Sequence, residues 1–453
     1  LHAIVDSMLT RLEVDGFKNL KNFSVDLGPY TCIVGRNAVG KSNIFDAISF
    51  FGSTANASLN DAAANLRGLR GDISEIFGND TNSITFAAEM IVPATFRDDF
   101  GQEVEITTTF LRYELEFQLV EQEFTADQVV RTIELVREDL TALTQKDARE
   151  RHPWAAEAFR KTAIKSTGGR PAFIKTTAED SIEVKSGRRG RNPHLPLKEV
   201  RSTVLSVYGR SADYPAIAAV RRELSTWKLL GLEPSAMRAP SAMSDPSSVD
   251  ARGANLPATL ARLTQEIGDQ ATVQLEDTLL DLVDVRSIDL DIDSSRQLIT
   301  LQAEIGNAPL LPARALSDGT LRFIVLGLLA IDPSTNDVLC FEEPENGIYP
   351  DKLRAMYTLL HELAVDSRHQ VGPDNPLQQM IVNSHSPAYL SLHQEDWGEL
   401  LVADSHPIDN SLRLLPVLGS ENWRTINPGT PGVIATVIEE ILHVSLKHQD
   451  EAA

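Results

Sequence analysis

The sequence is poor in cysteine and lacks any apolar run long enough to cross a membrane. Only Cys32 and Cys340 occur among its 453 residues, and both fall in apolar, strand-like stretches. This excludes a disulfide framework and a cysteine zinc site, and it predicts two small buried hydrophobic residues in a reducing compartment. No run reaches the roughly 18 apolar residues of a membrane span, and the N-terminal residues lack the layout of a signal peptide. We therefore expect a cytoplasmic protein.

Positive charge is also scarce. The chain has 42 Lys and Arg against 64 Asp and Glu, a formal net charge of −22, which disfavours broad, non-specific binding to nucleic acid. The exception is the stretch 146–201, with 14 Lys and Arg and 7 Asp and Glu. Its densest basic cluster is either a phosphate-binding patch or a solvated loop. The cluster consists of Lys185, Arg188, Arg189 and Arg191.

A glycine-rich turn between a predicted strand and a predicted helix is the clearest motif. The residues "GRNAVGKS" at 35–42 match the G-x-x-x-x-G-K-[ST] pattern of a P-loop. The glycines allow backbone N–H groups to point at phosphate oxygens, and the helix N-terminus adds a favourable dipole. Lys41 is expected to reach the β- and γ-phosphates, and the Ser42 hydroxyl to bind Mg²⁺. The predicted nucleotide-binding residues are Gly35, Arg36, Asn37, Ala38, Val39, Gly40, Lys41, Ser42 and Asn43.

An acidic motif follows a short apolar stretch in the C-terminal half, "VLCFEEPE" at 338–345. In a P-loop protein, a strand that ends in carboxylates matches the metal-binding and water-activating role. Glu342 is predicted to hold Mg²⁺, and Glu343 to act as the general base. The alternative for the same residues is a solvated acidic turn.

Two weaker motifs lie near this one. The residues "LSDGT" at 316–320 precede an apolar helix. Ser317 is a good N-cap there, and the free N–H groups of the helix also suit an anion. The residues "IVNSHSP" at 381–387 place His385 at the end of an apolar strand, where it could contact a γ-phosphate or be a simple surface residue.

In this order, the four motifs resemble the nucleotide-binding head of ABC-type ATPases. The segments "GFKNL" and "GRNAVGKSNIFDAI" are more similar to the SMC/RecF/OLD-related branch than to transporters, and "LRFIVLGLLAIDP" and "CFEEPENGIYPDKL" look like its predicted stand-alone AAA-family ATPases. The resemblance covers most of 8–404 and is weak across 125–215. It implies ATP and Mg²⁺ as cofactors, His385 as a switch histidine, and a signature motif made of Ser317, Asp318, Gly319 and Thr320.

The same resemblance implies a two-fold homodimer, because the signature of one head lies far from its own P-loop. Each ATP would be held between Lys41 of one copy and Ser317 of the other. Two departures from the family pattern are present. Glu342 replaces the more usual Asp, which predicts slow hydrolysis, and Asp318 replaces Gly, which sets a negative charge near a phosphate. Gln118 is one candidate for the glutamine of the family's Q-loop.

The pattern predicts an α/β fold, a P-loop ABC-ATPase head with a mixed sheet flanked by helices, plus an antiparallel β-subdomain and an inserted, mostly helical subdomain. The head is assigned to 8–120 and 265–425, and the basic insert to 121–264. The stretch "ADQVVRTIELVREDLTALTQ" at 126–145 is predicted to be helical. A C-terminal helix and tail take 426–453. The insert is too short and too broken by Pro and Gly for a long coiled coil, and no built-in nuclease is expected after His385.

Three functions are compatible with the sequence. The first is an ATP-gated dimeric switch that acts in DNA maintenance or phage defence with nucleic acid or a partner effector. The second is a regulatory ATPase that controls a partner protein without touching nucleic acid, with "GVIATVIEEILHVSL" at 432–446 as a docking helix. The third is a small-molecule ATP-dependent enzyme or kinase, for which no second substrate motif is present.

Overall fold

The computed structural model describes residues 7–425 except 70, 79–80, 126–127, 187–191, 335–337, 394–395 and 420–421, together with residues 432 and 433. Of the basic cluster, Arg188, Arg189 and Arg191 lie outside the described residues, as does the predicted C-terminal helix beyond Val433. None of the described helices combines the length and the apolar character that a membrane span needs.

The strands are β1 (Met8–Asp15), β2 (Phe23–Asp26), β3 (Tyr30–Val34), β4 (Ser83–Ile91), β5 (Thr95–Arg97), β6 (Glu103–Glu105), β7 (Phe110–Thr125), β8 (Gln128–Ala142), β9 (Ala172–Thr176), β10 (Ser181–Val184), β11 (His194–Pro196), β12 (Lys228–Leu230), β13 (Ser241–Ala242), β14 (Val285–Asp293), β15 (Leu298–Ile305), β16 (Leu311–Pro312), β17 (Val338–Glu342), β18 (Gln379–Ser384), β19 (Leu400–Ser405) and β20 (Leu412–Pro416).

The α-helices are α1 (Lys41–Ser53), α2 (Leu59–Ala64), α3 (Gln145–Arg151), α4 (Glu157–Ala163), α5 (Val204–Tyr208), α6 (Pro215–Thr226), α7 (Pro234–Met237), α8 (Leu256–Ile267), α9 (Gln270–Leu279), α10 (Asp318–Ile331), α11 (Leu353–Glu362) and α12 (Pro387–Leu390). Short 3-10 helices are formed by Ile73–Ile76, Ala313–Ala315, Pro350–Lys352, Ser391–His393, Trp397–Glu399 and Trp423–Thr425.

The central sheet has the strand order β12-β17-β18-β3-β19-β20. Its first five strands run parallel, and β20 pairs antiparallel with β19. Every residue of β3 and of β18 is buried, as expected for a parallel sheet that is covered on both faces. Because the strands are parallel, the carboxyl ends of β3, β17 and β18 meet at one edge of the sheet.

The two faces of this sheet pack against different helices. Ile33 and Ile381 belong to the hydrophobic cluster that contains the apolar side chains of α1. Val34 and Val382, the next residues along the same strands, belong to the cluster that contains those of α10. Since successive strand residues point to opposite faces, α1 and α10 lie on opposite sides of the central sheet.

A second, antiparallel sheet has the order β11-β10-β9-β8-β7-β4-β1-β2. The helix predicted for 126–145 is wrong, because most of this stretch is β8, which pairs with β7 in a long hairpin. Strands β8 to β11 carry the sheet into the region 121–264, which is therefore mixed rather than mostly helical. The stretch forms a strand because it is rich in β-branched residues and buries alternate side chains such as Ile133 and Leu135, a combination that favours a half-buried strand.

Candidate functional site

The turn between β3 and α1 is built so tightly that its two motif glycines are required. Gly40 has a φ of 106°, and a Cβ at this position would lie 2.3 Å from Nδ2 of Asn19. A Cβ at Gly35 would lie 2.6 Å from the carbonyl oxygen of Ala403. A larger residue would clash at either position, so this turn requires glycine at both.

Asn19 anchors this turn from outside the motif. Its Nδ2 donates a hydrogen bond to the carbonyl oxygen of Val39 at 3.0 Å, and its Oδ1 accepts one from Nδ2 of Asn43 at 2.8 Å. Asn43, a predicted site residue, thus helps to hold the loop. The sequence analysis missed Asn19, whose only signal is its place in the segment "GFKNL" before the motif.

Lys41 lies in the curve of the loop. Its side chain is buried, and Nζ donates to the carbonyl oxygens of Gly35 at 2.6 Å and Arg36 at 2.8 Å. Burial lowers the pKa of Lys41, an effect that the nearby carboxylates, Glu343 first, oppose. Two carbonyl oxygens are weak partners for an ammonium group, so a bound phosphate could replace them.

The predicted acidic and histidine motifs meet at the same edge of the sheet. In the β17–β18 pair Glu342 lies opposite Asn383, and in the β18–β3 pair Ser384 lies opposite Val34. Glu342, His385 and the start of the P-loop are therefore at the ends of three adjacent parallel strands. Ligands of open α/β sheets bind at such an edge.

Glu342 and Ser42, the two predicted metal-binding residues, are in direct contact through the Ser42 hydroxyl. Glu342 also accepts hydrogen bonds from Asn383 at 3.2 Å and from both terminal nitrogens of Arg67. Burial tends to raise the pKa of Glu342, but the hydrogen bonds from Arg67 and Ser42 outweigh it, and the pKa is lowered. An ionised carboxylate beside a hydroxyl fits Mg²⁺, which binds few protein ligands and keeps waters and phosphates.

Glu343 has a left-handed backbone, with φ of 48°. Its N–H donates to the carbonyl oxygen of Asn383 at 2.9 Å, and its Oε2 accepts a hydrogen bond from Asn346. Nδ1 of His385 lies 3.0 Å from Oε1 of Glu343, although the two groups are too poorly aligned to form a hydrogen bond. The structure thus brings together the predicted base and the predicted switch histidine.

The signature segment lies at the N-terminus of α10. Ser317 is its N-cap, and its Oγ accepts a hydrogen bond from the N–H of Thr320 at 3.1 Å. Ser317 and Asp318 are exposed. Gly319 is close to the loop after β17, because a Cβ there would lie 3.3 Å from the carbonyl oxygen of Gly347. This segment is on the face of the sheet opposite α1.

Other predicted residues are placed elsewhere. Gln118 is exposed on β7, where it pairs with Ser83 and Glu134 in the antiparallel sheet. Lys185 follows β10, and its Nζ lies 5.7 Å from the centre of the Phe173 ring, a cation–π contact. In the described part of the chain, neither side chain is seen in contact with the candidate site.

The sheet order and its flanking helices form a mixed α/β fold, as the sequence predicted. The chain belongs to the family described as "AAA domain, putative AbiEii toxin, Type IV TA system", whose model matches residues 30–391. No curated protein matches the chain.

Two solved structures match the chain at low similarity. One is the "SmcHead bound to the C-winged helix domain of ScpA", with 13% identity, 90% of this chain and 98% of that chain covered, and a TM-score of 0.47. The other is an Smc head domain with an extended coiled coil bound to the C-terminal domain of ScpA, from Pyrococcus furiosus. This match has 12% sequence identity and a TM-score of 0.46, and it covers 91% of this chain and 96% of that chain.

Proposed function

We propose that the chain binds ATP with Mg²⁺ at the P-loop and hydrolyses it at the carboxyl edge of the central sheet. The observation that carries this proposal is the meeting of Lys41, Ser42, Glu342, Glu343 and His385 at that edge. Membership in a family of AAA-type ATPase domains supports it.

The roles follow from position and charge. Lys41 would bind the β- and γ-phosphates, and Ser42 with Glu342 would hold Mg²⁺, which neutralises charge on phosphate oxygens when bound. Glu343 would accept the proton of the attacking water, and its side chain, 37% exposed, is open to solvent. His385 would contact the γ-phosphate beside it. Hydrolysis is expected to be slow, because Glu342 is longer than the usual Asp.

We further propose that the working unit is a homodimer with ATP at the interface. The P-loop helix and the signature helix lie on opposite faces of one sheet, and Ser317 and Asp318 are exposed. This arrangement favours a signature that meets the nucleotide of a second copy. The contact would be isologous, with two equivalent sites.

A mixing experiment tests hydrolysis and dimer together. Lys41→Ala and Ser317→Arg should each abolish ATPase activity. An equal mixture should recover about a quarter of wild-type activity, because half of the dimers are mixed and each of these has one intact site. Sedimentation of Glu343→Gln with ATP and Mg²⁺ should show the dimer, and ADP and phosphate should be the only products of the wild type. No recovery on mixing, although the Ser317→Arg variant alone still binds ATP, would contradict the shared site.

The dimer would act as an ATP-gated switch on nucleic acid or on a partner effector, in DNA maintenance or defence. The family description, which names a toxin–antitoxin system, supports this setting.

Reversing the charge of Lys185, Arg188, Arg189 and Arg191 should reduce the salt dependence of DNA binding. An unchanged salt slope would favour the alternative, a regulator of a partner protein. Deletion of 434–453 should then abolish capture of that partner.

A further inference from the structure

Arg67 lies in the turn after α2, and its guanidinium group enters the candidate metal site. Nε donates to Oδ1 of Asp46 on α1 at 2.6 Å, and one terminal nitrogen donates to Oε1 of Glu342 at 2.9 Å. The other terminal nitrogen donates to Oε2 of Glu342. The carbonyl oxygen of Ser42 accepts a longer bond, at 3.3 Å. One side chain thus joins the P-loop helix to the acidic strand.

We propose that Arg67 is a built-in cation that pairs with Glu342 and competes with Mg²⁺ for that carboxylate. The inference rests on the proposed ATP and Mg²⁺ site, and it adds the residue that must leave before the metal can bind. Both oxygens of Glu342 are engaged by one guanidinium, the bidentate geometry that Arg forms best with a carboxylate.

A divalent cation and this guanidinium cannot share the site. Both would lie within contact distance of the same carboxylate, and two positive charges repel more strongly in a partly buried site than in water. Binding of Mg²⁺ therefore requires displacement of Arg67.

Glu342 depends on Arg67 for compensation of its negative charge more than Asp46 does. Asp46 has a second cationic partner, because Nζ of Lys18 lies 2.7 Å from its Oδ2. Among the described residues, Arg67 is the one cation within ion-pair distance of Glu342, whose other partners are the neutral groups of Asn383 and Ser42. Loss of Arg67 would leave Glu342 as an uncompensated carboxylate that attracts a metal ion.

The local structure allows Arg67 to move. Its side chain is 43% exposed, whereas the preceding Leu66 is buried and fixes the turn to the core. Gly68 follows with a φ of 79°, and nothing lies within 4 Å of the place where its Cβ would be. The guanidinium can therefore turn toward solvent without disturbing the hydrophobic core.

The test uses Mn²⁺ alone as the probe, without nucleotide, and measures bound and free Mn²⁺ by electron paramagnetic resonance. Arg67→Gln should bind Mn²⁺ at least about tenfold more tightly than the wild type. Arg67→Lys, which keeps the charge, should stay near the wild type. Arg131→Gln is the matched control, since Arg131 pairs with Asp72 and Glu121 on the surface and should not change Mn²⁺ affinity.

Equal Mn²⁺ affinity of wild type and Arg67→Gln would overturn the inference, and so would the absence of Mn²⁺ binding to both. A second measurement uses the wild type alone, so that its outcome does not depend on whether a variant folds. An arginine-directed reagent such as phenylglyoxal should modify Arg67 faster when Mn²⁺ is saturating, and an unchanged rate would also overturn the inference. ATP binding is measured separately, because its absence would contradict the proposed function and leave the competition between Arg67 and Mn²⁺ intact.

Discussion

Arg238 forms an ion pair with Asp318 at the N-terminus of α10. Arg238 directly follows α7, and it also donates a hydrogen bond to the carbonyl oxygen of Leu316 at 3.1 Å. The carboxylate at the position where the predicted signature motif more usually has glycine is thus compensated by a cation from another part of the chain. This pairing removes the physical reason to expect that Asp318 repels a phosphate.

We expect Arg238→Ala to weaken the ATP-dependent dimer of Glu343→Gln by about tenfold or more. In a closed dimer, the change would leave Asp318 as an unpaired charge at the interface, and such truncations mainly affect dissociation. Sedimentation at a series of protein concentrations measures the change. Arg252→Ala is the control, because Arg252 pairs with Asp250 in the same region at 3.6 Å and is largely exposed. A dimer of unchanged affinity would show that Arg238 is not needed at the interface.

Lys41→Ala should lower the affinity for ATP by about 100-fold, equal to about 2.7 kcal/mol. Lys41 is the buried ammonium group inside the predicted P-loop, and the change removes its hydrogen bonds to the carbonyl oxygens of Gly35 and Arg36. Isothermal titration calorimetry with ATP and Mg²⁺ provides the measurement. Lys21→Ala, at an exposed lysine 3.7 Å from Asp409, should bind ATP as the wild type does. Equal affinities for the two variants would place the nucleotide elsewhere.

The sequence predicted the parts of the site that are encoded locally. A strand, a glycine turn and a helix in succession specify the P-loop, and they are β3, the turn 35–40 and α1. The carboxylates and the histidine were predicted for the same reason, since each directly follows a buried apolar strand. Parallel strands then bring their carboxyl ends together, which places Glu342 and His385 near Lys41.

The sequence did not predict the side chains that reach the site from elsewhere. The segments that carry Asn19, Arg67 and Arg238 do not indicate which distant polar group each side chain meets, because tertiary packing decides it. The strand β8 was missed for another reason. Its apolar residues fit both a helical and an alternating pattern, and pairing with β7 decided between them.

Glu343 is expected to be a strained position whose backbone prefers glycine. Its φ of 48° is unfavourable for a residue with a Cβ, by about 1 kcal/mol. Glu343→Gly should therefore be more stable than Glu343→Ala by about 1 kcal/mol, since both variants lose the same side chain. Urea unfolding of the two variants measures the difference. Neither should hydrolyse ATP, and a more stable alanine variant would show that this backbone is relaxed.

Glu138 should make the stability of the protein depend on pH. Its carboxylate is fully buried and accepts hydrogen bonds from the Tyr113 hydroxyl at 2.9 Å and from the N–H groups of Val204 and Leu205 at 2.6 and 3.0 Å. Burial outweighs these donors and raises the pKa of Glu138 from 4.5 to about 7. The folded protein thus binds this proton more tightly than the unfolded chain does, and stability falls as pH rises from about 4.5 to about 7.

Glu138→Gln should remove this dependence, because an amide cannot ionise. As the pH rises from 4 to 8, the free energy of unfolding of the variant should increase by about 3 kcal/mol relative to that of the wild type. Urea unfolding of both proteins across this range provides the comparison. Glu121→Gln, the same change at an exposed glutamate, is the control for the substitution itself. If the difference in unfolding free energy between wild type and Glu138→Gln were the same at every pH, Glu138 would ionise alike in the folded and unfolded chains. The three hydrogen bonds would then balance its burial in full.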